Sequence, residues 1–272
     1  ENVLSGGHKL RRPGTGENFW QFRDYETYDS PQDIDWRQSA KGDRLFIRQK
    51  ERQNAQSVCL WCAGGPSMGF ASARNVKSKA ENAVLLALSL ALLMTRGGEQ
   101  VTLIGGNARP GRSENTLRRI AEQLSELLRD GGDLPDTGNM QPLPRGHNAV
   151  LAGDFLGPPG QTSHALRELN NSAGAGILIQ VLDPAELDLP YAGRALFYDA
   201  QKQQKHEVDS VPDIRGAYRQ RIQEHINALN HACRERGWLY HLHRTDTPAS
   251  DTLHALWTAL SPENNKQRTF DG

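Results

Sequence analysis

Val58-Cys59-Leu60-Trp61-Cys62-Ala63-Gly64-Gly65-Pro66-Ser67-Met68-Gly69-Phe70 is the stretch on which the reading of the fold turns. Val58 to Cys62 is a short apolar run with the length of a strand. It breaks into a loop rich in Gly, Pro and Ser, and a helix predicted over residues 73–95, apolar nearly all round, follows. A buried strand, a loop and a long helix make the first unit of a parallel α/β sheet.

The alternation continues outward. Strands are predicted at 100–105, 149–153, 176–182 and 238–243, and helices at 113–130, 162–172, 212–237 and 250–260. Ser113 caps the first of these later helices, with Glu114 in its first turn. Gly237 ends the long one. The rhythm breaks between Leu189 and Val208, where 194–198 is strand-like and reads as an edge insertion. The expected architecture is a three-layer, mostly parallel sheet with helices on both faces. Ligands of such sheets bind beyond the carboxyl ends of the strands, so the loops after Cys62, Gly105, Gly153 and Leu182 are the ones to inspect.

Residues 1–56 differ in kind. They are rich in Arg, Asp, Gln and aromatics, and 45–47 is the one strong strand signal among them. They read as an irregular arm packed on a body at 57–262, with a polar tail at 263–272. In the arm, Arg23, Asp35 and Arg37 are expected to form buried ion pairs while Trp36 plugs a pocket on the body.

Composition narrows the function. The 272 residues carry 32 Lys and Arg against 32 Asp and Glu, so net charge supplies no pull toward nucleic acid or an anionic membrane. The opening 16 residues lack the apolar core of a secretory signal. The longest apolar run, residues 83–94, falls short of the ~20 residues a membrane span needs. Three cysteines, an odd and low count, argue for a reducing compartment rather than a disulfide framework.

Four segments invite a chemical reading. Cys59 and Cys62 have redox spacing, but inside a strand i and i+3 face opposite ways, so they read as small buried residues. Gly106-Asn107-Ala108-Arg109-Pro110-Gly111-Arg112-Ser113 resembles a phosphate loop with Arg112 for the lysine, and Asp154 could hold the metal of a divergent nucleotide hydrolase. Arg is a poor substitute for a compact ammonium, and Pro110 removes a backbone donor, which favours a surface loop. His241 and His243 share one face of a strand without a convincing third ligand. No G-x-S-x-G elbow is present.

The loop from Ala63 to Met68 resembles the first metal-site loop of von Willebrand factor A domains, Asp-x-Ser-x-Ser followed by Met. Ala63 stands for the Asp, Gly65 for the first Ser, and Ser67 matches the second. A narrower resemblance runs along the chain. Arg23, Tyr25, Asp29 and Ile34-Asp35-Trp36-Arg37-Gln38-Ser39-Ala40 look like the signature of the bacterial "domain of unknown function fifty-eight" family. Gly153-Asp154-Phe155-Leu156, Leu182-Asp183-Pro184-Ala185-Glu186 and the helix from Tyr218 resemble its later segments, in order.

The resemblance implies a von Willebrand factor A-like, non-enzymatic module in the cytoplasm. It further implies a protein partner, a MoxR-type AAA+ ATPase, and a role in assembling or maturing protein complexes. It implies no nucleic acid partner, no membrane span and no catalytic residue. Ala63, Gly65, Ser67 and Asp154 would form a degenerate metal site. One carboxylate and one hydroxyl are too few to hold Mg²⁺ against its hydration, so no cofactor is expected. A weakly Mg²⁺-binding A domain, with Ser67 and Asp154 as ligands, is the alternative.

Overall fold

The computed structural model describes residues 19–26, 30, 32, 34–42, 44–50, 57–106, 109–130, 132–135, 147–172, 175–199 and 204–260. The chain divides into two compact units, residues 1–55 and 56–272. In the first unit β1 (Phe19–Asp24) pairs antiparallel with β2 (Phe46–Lys50). The arm is thus less irregular than its composition suggests. β1 is a strand without a sequence signal of its own, recruited by pairing with the apolar 45–47 segment. Between them, a single turn of helix, α1 (Trp36–Ser39), is capped by the Asp35 carboxylate, which accepts the Gln38 N–H at 2.9 Å.

The second unit is built on a five-stranded, all-parallel sheet of β3 (Ser57–Cys62), β4 (Gln100–Leu103), β5 (Asn148–Gly153), β6 (Ala175–Leu182) and β9 (Leu239–Arg244). The spatial order is β4-β3-β5-β6-β9. This is a doubly wound, Rossmann-like order. The direction of winding reverses between β3 and β5, which places a crevice at their carboxyl ends. All six residues of β3 are buried, as a strand covered on both faces requires.

Helix α2 (Lys79–Arg96) packs across β3, β4, β5 and β6 and against α3 (Glu114–Asp130) and α7 (Ala249–Leu260). Its buried apolar residues, Ala83, Leu86, Ala87, Leu90, Ala91 and Met94, recur at helical spacing. Helix α4 (Pro159–Ser172) packs on α6 (Val211–Arg234), and α6 packs on β9. No described helix is long and apolar enough to cross a membrane.

Three sequence expectations shift. α2 starts at Lys79 rather than 73, because Ser78 and Glu81 close a reciprocal capping box. A short helix, α5 (Pro184–Asp188), follows β6 with Asp183 as its cap. The strand-like 194–198 segment is β7 (Ala195–Asp199), which pairs with β8 (Gln204–Val208) in a separate two-stranded sheet rather than at an edge of the main one. Leu196 and Tyr198 on that sheet are exposed.

Candidate functional site

The loops after β3, β5 and β6 converge at the crevice. Ser67 lies in a 3-10 turn, Pro66–Gly69, after β3. Its hydroxyl donates to Oδ2 of Asp154 at 2.6 Å, across the point where the winding reverses. Two residues widely separated in sequence and paired only through the family resemblance are therefore in direct contact.

A third group completes the cluster. Nζ of Lys79, the first residue of α2, donates to the same Asp154 Oδ2 at 2.8 Å and to Glu186 Oε1 at 2.6 Å. The lysine side chain is 0% exposed and that of Asp154 2%. An ammonium buried this completely is retained only when paired with carboxylates. Its position at a helix N-terminus, where the dipole disfavours cations, makes the pairing more necessary. The Phe70 ring lies 6.0 Å from the nitrogen.

Each carboxylate is positioned by backbone and neighbouring polar groups. Asp154 follows β5, and its carbonyl accepts from Gln180 Nε2 at 2.8 Å, while Gln180 Oε1 accepts from the Tyr240 hydroxyl. The next residue, Phe155, is fixed in the left-handed region at φ 47°, a conformation costing a non-glycine residue about 1–3 kcal/mol. Packing of its ring near Trp61 and the contact of its carbonyl with His225 Nε2 at 2.7 Å hold it there. Glu186 Oε2 accepts the Asp183 N–H, closing the capping box of α5. Burial pushes the Glu186 carboxyl above its usual range, against the downward pull of Lys79. Asp183 is fully buried, and its carboxylate accepts from the backbone N–H of Ala185 and of Ser72.

The other residues of the metal-loop resemblance contribute no donor atoms. Ala63 is buried and abuts Gly153, where an added Cβ would stand 2.7 Å from that of Ala63. Gly65 lies beneath Asp133. With Ser67 and Lys79 already on Asp154, the residues present do not form a divalent-cation shell. Among the described residues no group of three or more His, Cys, Asp or Glu is placed to hold a metal.

The remaining candidates lie elsewhere. Gly111 exchanges backbone hydrogen bonds with Val101 at 2.8 and 3.1 Å, which brings it alongside β4. The N–H of Gly111, which a phosphate cradle would use, is engaged, and β3 separates β4 from the strand bearing Asp154. Asn107 and Ala108 lie outside the described residues. His241 and His243 share a face and both meet Thr252 Oγ1, at 3.2 and 2.8 Å. Cys59 and Cys62 are free and buried, and burial alone pushes both thiols up to about 12.

In the N-terminal unit the ion-pair expectation is corrected. Asp35 caps α1 instead, because an aspartate ahead of a helical turn meets unsatisfied N–H groups before it meets an arginine. Arg37 is exposed, and Trp36 is 64% exposed. Tyr25 donates its N–H to the Leu45 carbonyl. Arg23 pairs with Ile47 in β1, its side chain lying outside the described residues, as does Asp29.

Lys79 and Glu186 are the two residues that sequence reading missed. A signal existed for the first: a lysine beside a Ser-x-x-Glu capping box opens an otherwise apolar helix, where its charge demands a partner.

The sequence model of the family described as "Protein of unknown function DUF58" matches residues 21–228. An uncharacterized protein of Mycobacterium bovis and two of Mycobacterium tuberculosis are each 28% identical over 229 residues, covering 79% of this chain and 70% of theirs. The chain belongs to the DUF58 family.

Proposed function

We propose that this family member is a non-enzymatic protein-interaction module of the von Willebrand factor A type with a degenerate cation site. It serves a MoxR-type AAA+ ATPase in the cytoplasm, in assembly or maturation of other protein complexes. The observation that carries the non-enzymatic part is the state of Asp154. The carboxylate at the sheet's switch point is buried and held by Lys79 and Ser67. It is thereby withdrawn from duty as a base or metal ligand. The ATPase partnership rests on the ordered motifs that resemble the family, since fold alone does not specify a partner.

The test is a binding measurement with the purified MoxR-type ATPase of the source organism, with ATP, with ADP and without nucleotide. Saturable association in at least one state is expected. Absence of association in all three overturns the partnership. Titration of this chain with Mg-ATP should be flat; saturable binding lost in Arg112→Ala would overturn this reading in favour of the nucleotide-hydrolase alternative.

A further inference from the structure

We propose that the solvent face of α2 is the interface of an antiparallel, twofold dimer of this chain, in which Leu85 packs beside the second copy's Leu92 and Glu81 pairs with the second copy's Arg96. This goes beyond the ATPase partnership and does not depend on it.

Helix α2 lies in the middle of its layer. On one side is α3, which also touches β3 and β4; on the other is α7, which touches β9 at the far end of the sheet. The outer side of such a helix meets water. α3 covers its outer side with charge, for Glu114, Arg118, Arg119, Glu122, Glu126 and Arg129 are exposed. α2 does not. Between the exposed Glu81 and Arg96, its exposed residues are Leu85 and Leu92, at 37% and 40%, with Leu88 and Ser89 half-buried between them. Apolar residues on every side are a property of helices covered on every side. A contiguous leucine ridge, unlike a scattered surface leucine, marks an interaction face.

The order of residues along the ridge selects the occupant. Glu81, Leu85, Leu88, Leu92 and Arg96 follow one another at steps of three or four, so they form one stripe. Leu85 and Leu92 lie equally far from the midpoint between Leu88 and Ser89, and so do Glu81 and Arg96. Turned end for end, the stripe therefore matches itself, as a twofold interface requires. Parallel pairing would instead set like charges against each other at both ends. The charged groups are available for the contact. The Arg96 side chain has no hydrogen bond or ion pair among the described residues. Glu81 accepts the Ser78 N–H and hydroxyl through Oε2 alone, which leaves Oε1 for a guanidinium. The leucines supply the affinity and the end charges set the direction. A few turns of one helix bury less than a standard interface, so the dimer is weak and concentration-dependent.

The test is sedimentation of the full chain over a concentration series reaching the high micromolar range. A reversible monomer–dimer equilibrium is expected. Leu85→Lys and Leu92→Glu are each expected to weaken it at least about tenfold and to leave Tm nearly unchanged, since both positions are exposed. Mixing the two variants is expected to restore association. The mixed dimer holds one Lys–Glu contact and one Leu85–Leu92 contact, and each variant's own dimer holds neither. Arg96→Glu, which sets two carboxylates together, is expected to weaken the dimer about two- to fivefold. A chain that stays monomeric throughout overturns the proposal. So does a dimer indifferent to Leu92→Glu, and so do variants that fail to recover association on mixing. If a leucine variant does not fold, Arg96→Glu decides, and a dimer it leaves unchanged overturns the pairing.

Discussion

Oδ1 of Asp133 occupies the space in which a side chain on Gly65 would begin: a Cβ there would stand 1.7 Å from it. The neighbouring Gly64 donates its N–H to the Gly132 carbonyl at 3.1 Å, so the 132–133 segment lies directly on the loop after β3. Glycine at 65 thus leaves room for the Asp133 carboxylate, which any side chain there would displace. Gly65→Ser, which restores the hydroxyl of the A-domain pattern, forces the Asp133 carboxylate aside. We expect a loss of about 1–3 kcal/mol in unfolding free energy, read by denaturant titration, and no gain in Mg²⁺ affinity. An unchanged midpoint would show that the segment yields freely.

Asp154→Ala leaves the Lys79 charge buried with Glu186 as its remaining carboxylate. Breaking a buried pair from one side costs about 3–5 kcal/mol. Lys79→Met in the same chain removes the stranded charge, so the double variant should be more stable than the sum of the single losses predicts. Additive losses in a double-mutant cycle would mean that the two residues do not interact energetically.

His243 makes stability pH-dependent. It is fully buried between Thr252 and Asn82, and burial, with His241 adding in the same sense, lowers its pKa from 6.5 to about 4. Between those values the unfolded chain takes up a proton that the folded chain refuses. Stability contributed by the neutral imidazole is thus full above 6.5 and is lost as pH falls toward 4. The amplitude is at most about 3 kcal/mol. Glu99, raised by burial to about 7, acts in the opposite sense across an overlapping window. The difference between the unaltered chain and His243→Gln is therefore the quantity to measure, since Glu99 is common to both. A pH-independent difference would show that His243 takes up its proton equally in the folded and unfolded chain.

Cys59, Cys62 and Cys233 are buried free thiols, each pushed up to about 12, chiefly by burial. A thiol-specific disulfide reagent at pH 8 should label none of the three in the native protein and all three in denaturant. Rapid labelling of Cys59 or Cys62 in the native state would revive the redox reading of their spacing.

Periodic segments were legible in the sequence and mixed boundaries were not. The apolar runs at 58–62, 149–153 and 176–182 coincide with β3, β5 and β6 because strands buried on both faces admit little else. α2 begins six residues later than its hydrophobicity suggests, since a capping box, not apolarity, sets a helix start. β1 and β8 escaped for a common reason. Each pairs in a two-stranded sheet outside the main one, where exposed faces blur the alternation.

By itself the sequence determined the parallel α/β class, the family, and the two residues Ser67 and Asp154 that face each other across the crevice. Local patterning and motif order carry that information, because burial period and loop chemistry are written residue by residue. Only the tertiary structure decided that Lys79 supplies the cluster's positive charge and Glu186 its second carboxylate. Lys79 and Glu186 lie 107 positions apart, and nothing in either's neighbours along the chain names the other. The sheet brings them together, and the cost of an unpaired buried ammonium then admits no other arrangement.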